Sequence, residues 1–314
     1  MEFPERNGPW RLALIGANGM LARKVLAATP ANIVVSGFDL PELDMTRPDR
    51  VRAALLPLRP DLIINCAAYT AVDQCEADGS VAMAVNGAAV ATLASVAGEC
   101  GAVLAHVSTD YVFDGRKGRP YVETDPVGPL SAYGRSKLAG EQAINDSGLE
   151  RHLIVRTSWL HGPGGKNFVA TILRLASERE ELRVVADQVG SPTFTGDLAE
   201  AIFHLVAAAV SPQPPAPGFY GIYHFANAGK CSWHEFASAI VEEAKALGVH
   251  LAVRRIVPIG TEEYPLPAPR PAWSVLSTQR YQTVTGRGVP GWRDGLRRHL
   301  LEIYRGPREC RDPA

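Results

Sequence analysis

The chain has 314 residues, 46% hydrophobic and 21% charged, which excludes a disordered protein and allows for about two domains. Thirty-two basic side chains against 33 acidic ones leave a net charge of −1, so no overall field draws the chain to nucleic acid or an anionic membrane. Cys66, Cys75, Cys100, Cys231 and Cys310 are odd in number, scattered and without a C-x-x-C pair, against both a disulfide framework and a zinc site. The first ten residues hold no apolar h-region, and no uncharged apolar run approaches the roughly 18 residues of a membrane span. These features predict a soluble, cytoplasmic protein with neither a membrane nor a nucleic-acid partner.

In chain order, short apolar runs alternate with helical patterns. RLALIGA at 11–17 reads as a buried strand, followed by a glycine-containing turn and a helix to about Ala28. NIVVSGFD at 32–39, DLIINCAA at 61–68, AVLAHVST at 102–109 and HLIVRTSW at 152–159 repeat the form. Each is apolar throughout rather than alternating, as expected of parallel strands covered on both faces. Helical stretches at 80–101 and 132–148 lie between them. The alternation predicts an α/β fold with a doubly wound parallel sheet, of the Rossmann kind, over residues 1–160.

Beyond residue 160 the texture changes. Helical patterns remain at 167–178, 232–248 and 291–306, and prolines cluster at 211–218 and 264–273. Residues 161–314 read mainly as a smaller C-terminal α/β lobe that binds substrate, with some segments returning to the sheet. The proline-rich stretches read as loops.

The first strand runs into Gly16-Ala17-Asn18-Gly19-Met20-Leu21-Ala22, a G-x-x-G-x-x-A turn. Gly16 permits a tight turn, and Gly19 lets backbone approach a pyrophosphate at a helix N-terminus. Asp39 ends the next strand 20 residues after Gly19, an interval that suits a carboxylate holding ribose hydroxyls. A ligand-free α/β turn is the bland alternative, and it leaves Asp39 unexplained. No arginine lies between Ser36 and Asp44 to welcome a 2′-phosphate, which leans towards NADH.

Tyr133 and Lys137 stand at i and i+4, on one face of a predicted helix. Only six of the cationic residues are lysines, so this one is conspicuous. An ammonium within about 4–6 Å favours phenolate and makes a phenol usable as an acid near neutrality. A solvated helix face is the bland alternative. Against it, the pair follows Ser108-Thr109-Asp110, at a strand's carboxyl end where such a sheet opens its ligand crevice.

GANGMLA, NCAAYTAVDQCE at 65–76, STDYVFDG at 108–115, SAYGRSKLAGEQ at 131–142 and RTSWLHG at 156–162 together resemble the extended short-chain dehydrogenase/reductases. Within them the chain is most similar to the dTDP-4-dehydrorhamnose reductase family, also through DQVGSPT at 187–193 and RPAWSVLST at 270–278. The resemblance implies reduction of the 4-keto group of a dTDP-sugar by NADPH or NADH. It implies Tyr133 as proton donor, Lys137 on the nicotinamide ribose, and Thr109 on the substrate carbonyl with Asp110 beside it. Gly16, Asn18, Gly19, Met20 and Leu21 would hold cofactor phosphates, with Cys66, Ala67, Ala68 and Tyr69 along its ribose. Asp39, Leu40, Asp44 and Met45 would border adenosine. Trp159, Asn167, Phe168 and Arg270 would face substrate, Arg270 as a diphosphate clamp.

Relatives often dimerise, so the resemblance allows a homodimer. Some carry magnesium at a dimer contact, but the sequence has no carboxylate cluster that demands it, and no metal is expected. Ala22, in place of a third glycine, is a common substitute. Two alternatives stay open: another dTDP-4-keto-6-deoxysugar reductase, and a nucleotide-binding regulatory subunit like the β subunit of methionine adenosyltransferase. His106 and His152 read as satisfied core histidines, Cys66 and Cys75 as inert thiols, and Arg297 and Arg298 as a solvated helix face. His234-Glu235 is not completed as H-E-x-x-H, since position 238 is Ser.

Overall fold

The structure, a computed structural model, describes residues 3–213 and 215–306. Met1, Glu2, Pro214 and residues 307–314, Cys310 among them, lie outside the described residues. In chain order the main elements are β1 (Trp10–Ile15), α1 (Met20–Ala28), β2 (Ile33–Phe38), α2 (Pro48–Leu55), β3 (Leu62–Asn65), α3 (Gly79–Cys100), β4 (Val103–Thr109), α4 (Ala132–Asp146) and β5 (His152–Thr157). The second half adds α5 (Phe168–Glu178), β6 (Glu181–Val185), α6 (Thr195–Ala209), β7 (Gly221–His224), α7 (Trp233–Ala246), β8 (Arg255–Ile259) and α8 (Trp292–Arg305).

Six strands form one parallel sheet in the order β7-β5-β4-β3-β1-β2. The chain winds outward in both directions from β1 and β3, so their carboxyl ends flank the switch point, where a doubly wound sheet opens a crevice. Both faces of the central strands are covered. Leu12 and Leu14 of β1 pack with Val25, Leu198, Ile202 and Phe203 beneath α1 and α6. Ala13 and Ile15 pack with Leu93 and Val51 beneath α3 and α2. Two-sided burial is why these strands read as continuous apolar runs. The second strand does not share it. β2 is the sheet's edge, and of its residues only Ile33 is buried, with Val34 56% exposed.

Helix boundaries follow their caps. Ser131, Asn167 and Ser232 each accept a backbone N–H at the start of α4, α5 and α7, and Glu235 completes a capping box with Ser232. Glu235 is therefore spent on the cap, while His234 faces the Ile256 carbonyl. The run Gly79–Cys100 corrects the expectation about apolar length, for it is long and apolar enough to cross a membrane on length and composition. It is a core helix here, half buried beneath the sheet, with a π turn over Ala84–Ala88.

The second lobe packs α5, α7 and α8 around Val169, Ile172, Phe236, Ile240 and Leu296, beside a β6–β8 parallel ladder. α6 and β7 return to the main sheet, against α1 and beside β5. Arg298 is only partly solvated: it grips the buried Asp197 of α6 with both terminal nitrogens, at 2.6 and 2.8 Å. Arg297 is the exposed one, paired with Glu243.

A buried ion pair fixes α4 on the sheet. Arg156 of β5 donates to both oxygens of Glu141 at 2.9 and 2.6 Å, both side chains being 2% exposed. Ser108 donates to the same carboxylate. Removing one partner of a buried pair strands the other charge, at a cost of about 3–5 kcal/mol. Glu141→Gln is expected to lower unfolding free energy by about that amount in urea titrations, with little change in slope.

Candidate active site

The β1–α1 turn is built for an anion. Gly16 has φ +78°, and a Cβ there would stand 2.7 Å from the Ala67 nitrogen, so only glycine lets the two crevice strands meet. Gly19 caps α1 with no side-chain hydrogen bond, and the first turn carries no acidic residue. The helix's unpaired N–H groups and positive end are thus left for an external partner. Asp39 supports the turn, one carboxylate oxygen accepting from Asn18 N and the other from Leu40 N, both at 2.8 Å. These features fit a dinucleotide diphosphate with its adenosine towards Asp39.

Other residues expected around the cofactor divide. Cys66, Ala67, Ala68 and Tyr69 directly follow the end of β3, at the switch point. Tyr69 N donates to Asn86 Oδ1, and Asn86 Nδ2 reaches the Tyr69 carbonyl and Ser136 Oγ, each at 3.0 Å. Asn86 thereby ties this loop to α4, a role the sequence reading missed. Its one signal is a lone amide in an apolar helix. Leu21 and Met45 turn into the two cores, so only backbone is theirs to offer. Leu40 is 63% exposed, and Asp44 is occupied by Thr46, whose N–H and hydroxyl hold its carboxyl below the usual range.

The next wall is α4 against the end of β4. Gly134 is required for this approach, since a Cβ there would lie 2.3 Å from the Tyr111 carbonyl oxygen. Tyr133, Lys137 and Glu141 follow at four-residue spacing, one stripe facing the sheet. The Tyr133 hydroxyl lies beside the Thr109 side chain, and its ring meets Tyr111 edge to face at 5.5 Å. Thr109 donates to Asp110 Oδ1 at 3.0 Å and accepts from Tyr111 N. Thr109, Asp110, Tyr133 and Lys137 are thus brought together.

Their electrostatics differ from the sequence expectation. Burial raises the Tyr133 phenol, with Asp110 acting in the same direction and only the neighbouring Thr109 hydroxyl opposing it. Burial lowers the Lys137 amine to about 8, against Glu141 and Cys66, which favour its charge. In this dry setting desolvation outweighs attraction, so the two groups are driven towards their neutral forms. Lys137 donates to the Val107 carbonyl at 2.7 Å and faces His106 Nε2 at 3.4 Å. His106 is a core histidine as expected, yet it touches the site, whereas His152 is remote and bonds the Leu149 carbonyl. Burial keeps the Cys66 thiol protonated up to about 12 and raises Cys75, consistent with inert sulfur.

A cleft of about 800 Å³ runs from Tyr111 into the second lobe, lined by Phe168, Trp233, Gln188, Leu266 and Arg270 among others. Trp159 supports this wall from behind, its ring stacked on Trp233 with centroids 3.4 Å apart. Asn167 caps α5 through Oδ1 and donates to the Gly162 and Gly165 carbonyls, so its polar atoms hold the loop. Arg270 is gripped by Asp73 through both terminal nitrogens, at 2.8 and 2.7 Å, closing the 264–273 loop over the cleft. Among the described residues, no cluster of three or more histidines, cysteines or carboxylates is placed to hold a metal.

A parallel doubly wound sheet, a glycine turn at its switch point and a Thr–Tyr–Lys wall beside it define an extended short-chain dehydrogenase/reductase. A family model described as the RmlD substrate binding domain matches residues 10–305. A dTDP-4-dehydrorhamnose reductase of Burkholderia thailandensis is 44% identical over 285 residues, 90% of this chain and 95% of the relative. A spore coat polysaccharide biosynthesis protein of Bacillus subtilis is 45% identical over 252 residues, 80% of this chain and 83% of that one. The crystal structure of a Bacillus anthracis dTDP-4-dehydrorhamnose reductase in complex with NADP is 38% identical, with a TM-score of 0.86, covering 94% of this chain and 99% of that one. The chain belongs to the dTDP-4-dehydrorhamnose reductase family.

Asp110 is the one buried carboxyl at the centre of the site. Its Oδ2 has no partner, and burial raises it to about 6. A carboxyl raised on folding stabilises the fold at low pH, and that contribution is lost as pH rises through the folded value. Asp110→Asn keeps the Thr109 hydrogen bond and removes the charge. Relative to wild type it is expected to be more stable at pH 8 by roughly 2–3 kcal/mol, with little difference at pH 4, in chemical denaturation. An equal effect at both pH values would show that burial does not raise this carboxyl.

Proposed function

We propose that this chain reduces the 4-keto group of dTDP-4-dehydro-L-rhamnose to give dTDP-L-rhamnose, with NADPH or NADH as reductant. The observation that carries the reading is the convergence of Thr109, Tyr133 and Lys137 at the carboxyl end of β4, beside the interlobe cleft and with only β3 between that strand and the one leading into the diphosphate turn. When bound, the nicotinamide supplies hydride to the carbonyl carbon. Tyr133 donates its hydroxyl proton to the oxygen that becomes the alcohol. Thr109 and the phenol together stabilise the developing negative charge, an effect that can reach several kcal/mol in a dry site. Lys137 holds the nicotinamide ribose with the N–H groups not used by Val107. Asp110 lies beside the sugar, and Tyr111 forms the wall that sets its angle.

Remote contacts orient the sugar and lower the entropic part of the barrier. Phe168 and Trp233 offer apolar rings in the cleft for a thymine base. Arg270 faces the same cleft and is the cation for a diphosphate, which must displace Asp73 to take both its nitrogens. A soluble enzyme working in the cytoplasm, in one copy or as a homodimer and without a metal, completes the reading.

Two measurements follow from these roles. Tyr133→Phe, assayed with dTDP-glucose, the upstream dehydratase and epimerase, and NMR of the product, is expected to lose at least 100-fold in turnover while keeping its melting temperature. Turnover at the wild-type level would remove the phenol as donor, and a product of opposite configuration at C4 would favour another 4-keto-sugar reductase. Asp39 carries the second, for its carboxylate repels a 2′-phosphate. Asp39→Ser is expected to raise the NADPH-to-NADH ratio of kcat/KM by about tenfold, a difference of about 1.4 kcal/mol.

A further inference from the structure

The run DQVGSPT at 187–193 follows β6 at the carboxyl end of the second lobe's parallel ladder, beside Thr261, which follows β8. Asp187 accepts twice from Thr261, from its N–H at 2.9 Å and from its hydroxyl at 2.6 Å. Burial pushes the Asp187 carboxyl up, but the two Thr261 bonds outweigh it and hold it below the usual range. An ionised carboxylate only accepts, so the Thr261 proton is committed to it and the hydroxyl oxygen has lone pairs alone to offer. Gln188 Nε2 lies 3.0 Å from that oxygen. The amide must present its NH2 there, since the opposite orientation would set two oxygens together with no proton between them.

The Gln188 side chain lines the interlobe cleft and is 5% exposed. With Nε2 anchored, Oε1 is the free end of the amide, and among the described residues no donor reaches it. Aromatic surface adjoins it. Val189 pairs with Ser232 in a two-stranded ladder, which brings Trp233 to the same wall, against Phe168. A fixed acceptor beside apolar rings suits a flat ring with one N–H on its edge. Sugar hydroxyls donate or accept as required and need no such fixing.

We propose that Gln188 is a specificity-determining residue for the nucleotide, its Oε1 accepting the N3–H of a thymine or uracil ring. Cytosine has a lone pair at N3, which would meet the lone pairs of Oε1. The Asp187–Thr261 bonds stop the amide from turning to suit it. Asp187 and Thr261 are positioning residues, since they act through Gln188. This rests on the reading of the substrate as a dTDP-sugar, and deepens it by naming the ring atom that is read.

Calorimetric titration with dUDP and with dCDP tests this, because neither carries the thymine methyl. The wild type is expected to bind dUDP at least about 30-fold more tightly than dCDP. Gln188→Leu is expected to weaken dUDP binding and to bring the two within about threefold of each other. Thr261→Val leaves the amide free to turn. It is expected to narrow the preference by strengthening dCDP binding, with dUDP changed by less than about threefold.

Equal affinities in the wild type overturn the proposal. So does a preference that survives Gln188→Leu, or a Thr261→Val variant that weakens both ligands alike, as a merely structural role would. The wild-type comparison requires no variant to fold. Binding is read without hydride transfer, so the two failures are distinct. A wild type that reduces the dTDP-sugar yet binds dUDP and dCDP alike loses this proposal alone, and one that reduces no dTDP-sugar loses the substrate reading.

Discussion

The Arg156–Glu141 pair sets the rotation of α4, and the positions of Tyr133 and Lys137 depend on that rotation. Glu141, Lys137 and Tyr133 occupy one stripe of the helix at four-residue spacing. Pinning the carboxylate between Arg156 of β5 and Ser108 of β4 turns the ammonium position and the phenol towards the same strand end. Such a pair is a poor stabiliser relative to apolar packing, because both charges lose water. Its use here is orientation. Gly134 completes the device by letting the first turn of α4 close on Tyr111.

The site is dry, and that decides its proton chemistry. A phenol and an amine drawn together in water would favour the ion pair. Within this wall, burial favours the neutral form of each, and it does the same for Asp110 and His106. The geometry is supplied by the Thr109 hydrogen bond to Asp110, with Tyr133 beside it, and by the contacts of His106 with Asn65 and Lys137. A carbonyl placed between Thr109 and Tyr133 would be the one atom there to gain charge, where charge stabilisation is worth most.

Much of this was legible in the sequence, because it depends on local spacing. Apolar runs followed by glycine turns located the sheet, the interval to Asp39 located the end of β2, and Tyr133 with Lys137 located the face of α4 that turns to the sheet. What escaped depends on contacts between distant segments. Nothing local distinguishes β2 as an edge strand, or marks Arg298 as the partner of Asp197 across 101 residues. Asn167 looked like a ligand residue and is a helix cap. Lys137 was expected to depress the Tyr133 pKa, but charge spacing along a helix carries no information about how far water has been excluded. The Asn65–His106 link joins two strands that periodicity shows only as apolar.

The central claim is that Thr109 and Tyr133 address one oxygen atom of the sugar. A crystal structure of the protein with a reduced nicotinamide dinucleotide and an unreactive 4-keto-sugar analogue reads this without kinetics. The C4 oxygen is expected about 2.6–3.2 Å from both the Thr109 and Tyr133 hydroxyls, with the nicotinamide ring over C4. A sugar oxygen directed elsewhere, out of hydrogen-bond reach of both hydroxyls, would contradict the account.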